Sequence, residues 1–174
     1  MRALATAAIL LLLLSVAVAQ KPSTKASLDD LRFLIGEWEG VGDGGPGAGK
    51  GVFSFAFDLQ NKIIVRKNFA EYPATTNRSA VRHDDLMIIQ VDDAAGQILA
   101  SYFDSEGHQI NYKVIPSTAQ ESVTFLSEPS ASQPRYRLSY KELKDGTLSG
   151  IFEISPPGQE DSFKKYLEWI ARKK

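Results

Sequence analysis

Short segments that alternate apolar and polar residues, separated by turn sequences, fill most of this chain. Alternation with a period of two is typical of β-strands that bury one face. Turn sequences such as Lys144-Asp145-Gly146 separate the segments, and no intervening helix is long enough for a crossover, so consecutive strands are expected to pair antiparallel. The predicted strands are Gly36–Gly42, Val52–Asp58, Lys62–Phe69, Asp85–Val91, Gln97–Phe103, His108–Ile115, Glu121–Ser127, Arg135–Glu142, Thr147–Ser155 and Ser162–Arg172.

A run of this many antiparallel strands hides its edges best by closing on itself. We therefore predict an all-β fold, an up-and-down closed barrel of about ten antiparallel strands with a short N-terminal helical turn. Ser27 and Asp29 can accept the free N–H groups of that turn, which would direct Leu31 and Leu34 inward. Residues Ser162–Arg172 fit a helical face as well as a strand, and we predict a strand because it completes the barrel.

The N-terminal residues have the pattern of an export signal. A basic start is followed by the apolar run Ala7–Val18, and an A-x-A site ends at Ala19, which predicts a signal peptide over residues 1–19. The apolar run is shorter than the ~20 residues that a spanning helix needs, so no membrane anchor is expected after cleavage. Residues 20–27 are interpreted as a linker, and residues 28–174 as a single domain.

Composition narrows the compartment and the partners. The chain has no cysteine and therefore no disulfide. An exported protein that folds without disulfides fits a bacterial periplasm better than a eukaryotic secretory route, so we predict a periplasmic or extracellular bacterial protein. The net charge is −1, which provides no basic excess for binding nucleic acid.

The glycine-rich stretch Gly42–Gly51 matches G-x-G-x-x-G and most of a phosphate-binding P-loop. Both motifs need a helix immediately after the glycines, because the N-terminal amides of that helix hold the phosphate. Here Phe53, Phe55 and Phe57 alternate instead, which is typical of a strand. The sequence therefore favours a hairpin loop over a nucleotide site.

The first predicted strand begins with G-x-W-x-G-x-G, formed by Gly36, Trp38, Gly40 and Gly42. This pattern after a short helical turn resembles the opening of nitrobindin-type barrels, and also the G-x-W of lipocalins within the calycin group. The segments Tyr102–His108 and Tyr166–Arg172 are similar to segments of uncharacterised bacterial exported relatives of that barrel. The resemblance implies a closed barrel with an internal ligand cavity. The small glycines would let a neighbouring backbone come close to the strand.

Barrel closure would bring the end of the last strand beside the start of the first. Arg172 could then cover the ring of Trp38 with its guanidinium, a contact worth about 0.5–2 kcal/mol depending on burial. The alternative is a solvated Arg172 beside a tryptophan that belongs to the core. Gly36, Trp38, Gly40, Gly42 and Arg172 are accordingly interpreted as structural residues.

The nitrobindin resemblance implies a haem held by a histidine close to the C-terminus, but this chain has no histidine after His108. Only His83 or His108 could replace that ligand. His108 either points inward, on the same face as Tyr112, or lies half-exposed beside a turn. His83 is expected at the end of a loop, Glu71–His83, and its neighbours Asp84 and Asp85 would point to different sides of a strand, so no metal site is predicted there.

No catalytic constellation is visible in the sequence, so the first hypothesis is an exported barrel that binds a small, mainly apolar molecule without catalysis. The alternatives are a haem-binding protein, a small calycin-type enzyme in which Arg66, Tyr112, His108 or Arg137 converge, and an interaction module that uses its loops. The candidate cavity residues are Trp38, Phe55, Arg66, His108, Tyr112, Arg137, Tyr140 and Phe152.

Overall fold

In the computed structural model, residues 25–41, 50–77, 79–159 and 161–174 are described. Within these ranges, ten antiparallel strands close into one barrel in which each strand pairs with its neighbours along the chain. The predicted signal peptide and most of the glycine-rich loop lie outside the described residues. The strands are β1 Gly36–Val41, β2 Lys50–Asp58, β3 Ile63–Tyr72, β4 Val81–Asp92, β5 Gln97–Asp104, β6 Gln109–Pro116, β7 Ser122–Ser127, β8 Arg135–Glu142, β9 Leu148–Ser155 and β10 Lys164–Lys173.

The first and last strands pair with each other and close the barrel, which confirms the predicted architecture. The C-terminal segment that also fitted a helix is strand β10, and it pairs with β9 on its other side. Its alternative as a helix would have left β1 and β9 as open edges. The pairing of this segment with both β1 and β9 therefore shows that it is a strand, which its local periodicity could not decide.

A short 3₁₀ helix, Leu28–Leu34, precedes β1 at one end of the barrel. The Ser27 hydroxyl accepts the N–H of Asp29 at 3.1 Å, as expected for a capping serine. Leu31 and Leu34 are fully buried, and the indole Nε1 of Trp38 donates to the Leu34 carbonyl at 2.8 Å. These contacts fix the helix to the barrel. Among the described residues, no helix is long and apolar enough to cross a membrane.

An aromatic core fills the interior between the helix and the middle of the barrel. Phe55 meets Tyr140 edge-to-face at 5.5 Å between ring centroids, and Trp38 stacks on Phe53 at 6.4 Å. Such pairs contribute about 0.5–1.5 kcal/mol each beyond the area that they bury. Trp38, Phe55 and Tyr140, which the sequence suggested as cavity residues, belong to this buried core.

Strands β3 and β4 extend further than predicted and pair from Ile63–Gln90 to Tyr72–Val81. His83 therefore lies within β4, opposite Ala70, and not at the end of a loop. The sequence suggested a loop because this end of the pair is polar. On the outer surface, Arg82 contacts Asp84 at 2.8 Å and Glu71 at 3.0 Å, whereas the alternate residues His83 and Asp85 face the interior.

Of the two alternatives for Arg172, the structure has the one in which Arg172 is exposed and Trp38 belongs to the core, and the residue that contacts Trp38 lies one position further along β10. In the β1–β10 register, Trp38 pairs with Lys173 and Glu39 pairs with Arg172. Paired residues share a face of the sheet. The Lys173 ammonium consequently lies 5.5 Å from the centre of a Trp38 ring, whereas Arg172 is exposed and donates to Glu39 at 3.2 Å.

Gly36 of β1 has a different role from the one predicted. Gly36 has a φ of +136°, and a Cβ there would stand 2.5 Å from Cε of Lys173, so this position accommodates a side chain and not a neighbouring backbone. At Gly40, the nearest atom to a Cβ would be the Gly51 carbonyl oxygen at 3.6 Å, an ordinary contact. Gly42 lies outside the described residues.

Candidate functional site

A cavity of about 420 Å³ occupies the end of the barrel opposite the 3₁₀ helix. The helix enters at the start of β1, whereas the cavity is lined by Gly40 near the end of that strand. Apolar and aromatic side chains form most of its wall. They include Phe53, Ile110, Tyr112, Tyr136, Leu138, Phe152, Ile154 and Trp169.

Aromatic contacts hold the cavity wall in place. Tyr136 and Phe152 stack with an interplanar angle of 5° and a centroid distance of 6.0 Å, and Tyr166 meets Phe152 edge-on at 6.2 Å. Tyr112 packs edge-on against Phe125 of the core at 6.1 Å. Burial raises the pKa of Tyr112 well above its ordinary value, so its hydroxyl remains a neutral hydrogen-bonding group.

A buried polar group lies within this apolar wall. Arg66 forms an ion pair with Asp85, and both side chains are about 95% buried. Asn68 donates to the second oxygen of Asp85 at 2.7 Å. Burial alone would lower the pKa of Arg66, but its surroundings, chiefly Tyr140 and Asp85, raise it, so the guanidinium remains charged. The pair brings the opposite charges together and leaves the depth of the cavity close to neutral.

The cavity mouth carries two imidazoles and two further carboxylates. His83 Nδ1 lies 3.0 Å from Oε1 of Glu106, and His108 Nδ1 lies 2.8 Å from Oδ2 of Asp104. Burial would lower the pKa of His83, but Glu106, Asp85 and Asp104 together raise it. The mouth is therefore a site of concentrated negative charge in contact with imidazole.

The turn between β5 and β6 positions this cluster. Asp104 accepts the backbone N–H groups of Glu106 at 3.0 Å and of His108 at 2.9 Å, and Gly107 has a φ of +88°. Burial would raise the pKa of Asp104, but the backbone N–H and imidazole of His108 lower it, so the carboxylate is ionised. This local pattern explains why Asp104, Glu106 and His108 project from one turn.

The structure places the sequence-predicted site residues at the cavity, in the core and on the outer surface. Arg66, Tyr112 and Phe152 lie in the cavity wall, and His108 lies at the mouth with its side chain 65% exposed. Trp38, Phe55 and Tyr140 belong to the core.

Arg137 lies on the outer surface, because Tyr136, Leu138 and Tyr140 take the inner face of β8. Its Nε donates to Oε2 of Glu153 at 2.5 Å, outside the barrel. The convergence of Arg137 with Arg66 and Tyr112 that a calycin-type enzyme was expected to use is therefore absent.

Sequence reasoning missed Asn68, Tyr102, Asp104 and Glu106 as cavity residues. Asn68 follows Arg66 at a spacing of two and Tyr102 precedes Asp104 at the same spacing, so each pair shares a face. This spacing shows that the two residues of each pair lie on the same face of their strand. It does not show whether that face points into the barrel or toward solvent.

The residues present do not fit a haem. Both imidazoles lie among carboxylates at the cavity mouth, where His83 contacts Glu106 and Asp85, and His108 contacts Asp104. A haem ligand would need a free imidazole directed into the apolar part of the cavity. The cavity wall itself is formed by aromatic, aliphatic and polar residues without such a histidine.

No protein-family model matches the chain, and no curated protein matches its sequence. The closed barrel of ten antiparallel strands is compatible with a calycin-like fold. Arguments about function consequently rest on the cavity and on the residues around it.

Proposed function

We propose that this protein is an exported calycin-like barrel that binds a small, mainly apolar molecule in its cavity, without catalysis. One observation carries the proposal. The barrel is tightly packed by aromatic residues at the helix end, yet about 420 Å³ remains open at the other end, behind a largely apolar wall. This volume is within the range of about 300–1,000 Å³ that is typical of small-molecule sites.

The chemistry of the wall defines the kind of molecule. Phe152, Tyr136 and Trp169 offer flat apolar surfaces against which a ring or an alkyl chain would pack. Deeper in the wall, the paired Arg66 and Asp85 are close to neutral as a unit, so they favour a neutral polar substituent, such as a hydroxyl or carbonyl group. The preferred ligand is therefore an uncharged molecule with one polar end.

Binding is favoured over catalysis by the arrangement of the polar residues. Tyr102 and Tyr112 have raised pKa values and remain protonated, so neither provides a phenolate nucleophile. The Arg66 guanidinium is committed to Asp85, and Arg137 lies outside the barrel. The cavity residues consequently serve to orient and enclose a ligand.

A titration with the neutral fluorophore N-phenyl-1-naphthylamine tests the proposal. The wild-type protein should give saturable fluorescence enhancement. Ala70→Trp, which places a large ring on the cavity wall, should weaken binding at least tenfold. Ala56→Trp is the matched control, because Ala56 is exposed on the neighbouring strand β2. Circular dichroism checks that both variants are folded. The proposal fails if the wild type gives no saturable signal or if the two folded variants bind the fluorophore equally.

Export is tested separately. We propose that residues 1–19 are removed and that the mature protein begins at Gln20. When the full-length chain is expressed in a Gram-negative host, the intact mass of the periplasmic protein should equal that of residues 20–174. An uncleaved protein in the cytoplasm would contradict this part of the proposal.

A further inference from the structure

The cavity mouth contains a set of nitrogen and oxygen donors that belong to different parts of the chain. His83 comes from β4, Asp104 from the end of β5, and Glu106 from the turn that follows. One potential ligand atom of each residue lies within 4.8 Å of the other two. We propose that these three residues bind a divalent d-block cation of the zinc type.

The donors lie close enough together to approach the spacing that such an ion needs. A tetrahedral zinc with bonds of about 2.0–2.1 Å separates neighbouring donor atoms by about 3.3–3.4 Å. His83 Nδ1 lies 3.0 Å from Glu106 Oε1, and a carboxylate oxygen of Asp104 lies within 4.8 Å of a donor atom of each. A cation can therefore enter between these groups if the Asp104 carboxylate moves toward the other two donors by up to about 1.5 Å.

The structure also supplies the supporting hydrogen bond that metal-binding histidines use. When Nδ1 of His83 faces the cation, Nε2 faces the Asp85 carboxylate at 3.3 Å. Asp85 is itself held by Arg66 and Asn68 in the cavity wall. A carboxylate behind a histidine fixes the orientation of the ring and raises its basicity as a ligand. An exposed cluster of acidic residues alone would have no such second layer.

Access and charge favour occupancy. Glu106 and His108 have side chains 50% and 65% exposed, so an ion from solvent reaches the donors without opening the barrel. Asp104 and Glu106 neutralise a divalent charge, and His108 lies beside both as a further nitrogen donor. Imidazole together with carboxylates selects zinc-type ions over calcium and magnesium, which prefer all-oxygen sites.

Three protein ligands leave a coordination position for water or for a donor atom of a molecule in the cavity. His83, Asp104 and Glu106 all line the cavity as well as its mouth. The cation site is nevertheless independent of the proposed ligand, because its donors are all supplied by the protein.

Isothermal titration calorimetry with zinc chloride tests the site, using the protein expressed from its full-length sequence without a histidine tag and stripped with chelator. The wild type should bind one zinc per chain, and His83→Ala and Glu106→Gln should each weaken binding at least tenfold. Glu128→Gln is the control, since it makes the same chemical change at an exposed carboxylate elsewhere.

A spectroscopic measurement tests whether His83 coordinates the cation. With cobalt(II) in place of zinc, the wild type should show visible absorption bands of a low-symmetry site, and the bands should be lost in His83→Ala. The proposal is overturned by the absence of saturable zinc binding, by equal binding in Glu106→Gln and Glu128→Gln, or by displacement of zinc by equimolar calcium. Circular dichroism checks that each variant folds, and Glu106→Gln lies in an exposed turn where the change leaves the barrel intact.

Discussion

The indole ring of Trp169 lies directly over the backbone of Gly150, its partner on strand β9. A Cβ on Gly150 would stand 2.2 Å from Cε2 of the indole, well inside contact distance. The ring also meets Tyr140 edge-on at 5.8 Å. Gly150 thus allows a large aromatic residue to lie flat against the sheet, where it forms both the edge of the core and part of the cavity wall.

Gly150→Ala should therefore destabilise the protein, because the Trp169 ring must move into an already packed region. We expect a loss of about 1–3 kcal/mol in the free energy of unfolding, which is typical of overpacking. Gly40→Ala is the control, since a Cβ there meets only an ordinary contact at 3.6 Å. Urea unfolding measures both variants, and equal losses at the two positions would refute the steric role of Gly150.

The buried pair of Arg66 and Asp85 predicts a strongly asymmetric mutational response. Arg66→Met leaves the Asp85 carboxylate buried without its cation, which should cost about 3–5 kcal/mol. The double variant Arg66→Met/Asp85→Leu removes the unpaired charge and should recover more than half of that loss. Denaturant unfolding of the two variants decides the matter. A double variant no more stable than Arg66→Met would show that the ion pair is not the source of the loss.

Tyr140 should tolerate the loss of its hydroxyl group. That oxygen is buried near the Arg66 guanidinium, but neither it nor Arg66 Nε makes a hydrogen bond of ordinary geometry among the described residues. The ring, in contrast, makes contacts with Phe55 and Phe125. Tyr140→Phe retains the ring and removes an unsatisfied polar group, so stability should be unchanged or higher by about 1 kcal/mol. Thermal unfolding provides the measurement, and a clear loss of stability would indicate that the hydroxyl group has a partner in solution.

The outer pair of Arg137 and Glu153 predicts a dependence of stability on pH. Hydrogen bonds from Arg137 lower the pKa of Glu153 from its ordinary value of 4.5, so the unfolded chain binds the proton more readily than the folded one. The stabilisation by ionised Glu153 is therefore present above pH 4.5. It is lost as the pH falls through the lower pKa that Glu153 has in the folded protein.

Glu153→Gln should lower stability by about 1 kcal/mol at neutral pH. The free energies of unfolding of the wild type and of Glu153→Gln should converge at acid pH, where Glu153 of the wild type is protonated. Urea unfolding across this range of pH makes the comparison, and a difference that stays constant down to acid pH would contradict the linkage.

The architecture was predictable because it depends on a signal that recurs along the chain. Each strand has a period of two, and turn sequences such as Lys144-Asp145-Gly146 mark the boundaries, so the order of strands follows from antiparallel pairing. Alternation also placed Tyr112 on a face that proved to line the cavity. Local sequence was enough for these features.

The site was less predictable because it depends on register and depth. Arg172 and Lys173 are adjacent in sequence and therefore lie on opposite faces of β10. Only the register with β1 decides which of them reaches Trp38. Tyr112 and Tyr140 both point inward, but one lines the cavity and the other belongs to the core. Depth along the barrel axis has no signature in a strand pattern.

The two tryptophans of the chain offer the most direct test of ligand binding in the cavity. Trp169 lies in the cavity wall, whereas Trp38 is buried in the core and donates to Leu34. In ¹H–¹⁵N nuclear magnetic resonance spectra, N-phenyl-1-naphthylamine should shift the Trp169 indole N–H resonance in a saturable manner and leave that of Trp38 in place. An unchanged Trp169 resonance, or equal shifts of both resonances, would contradict the proposed cavity site.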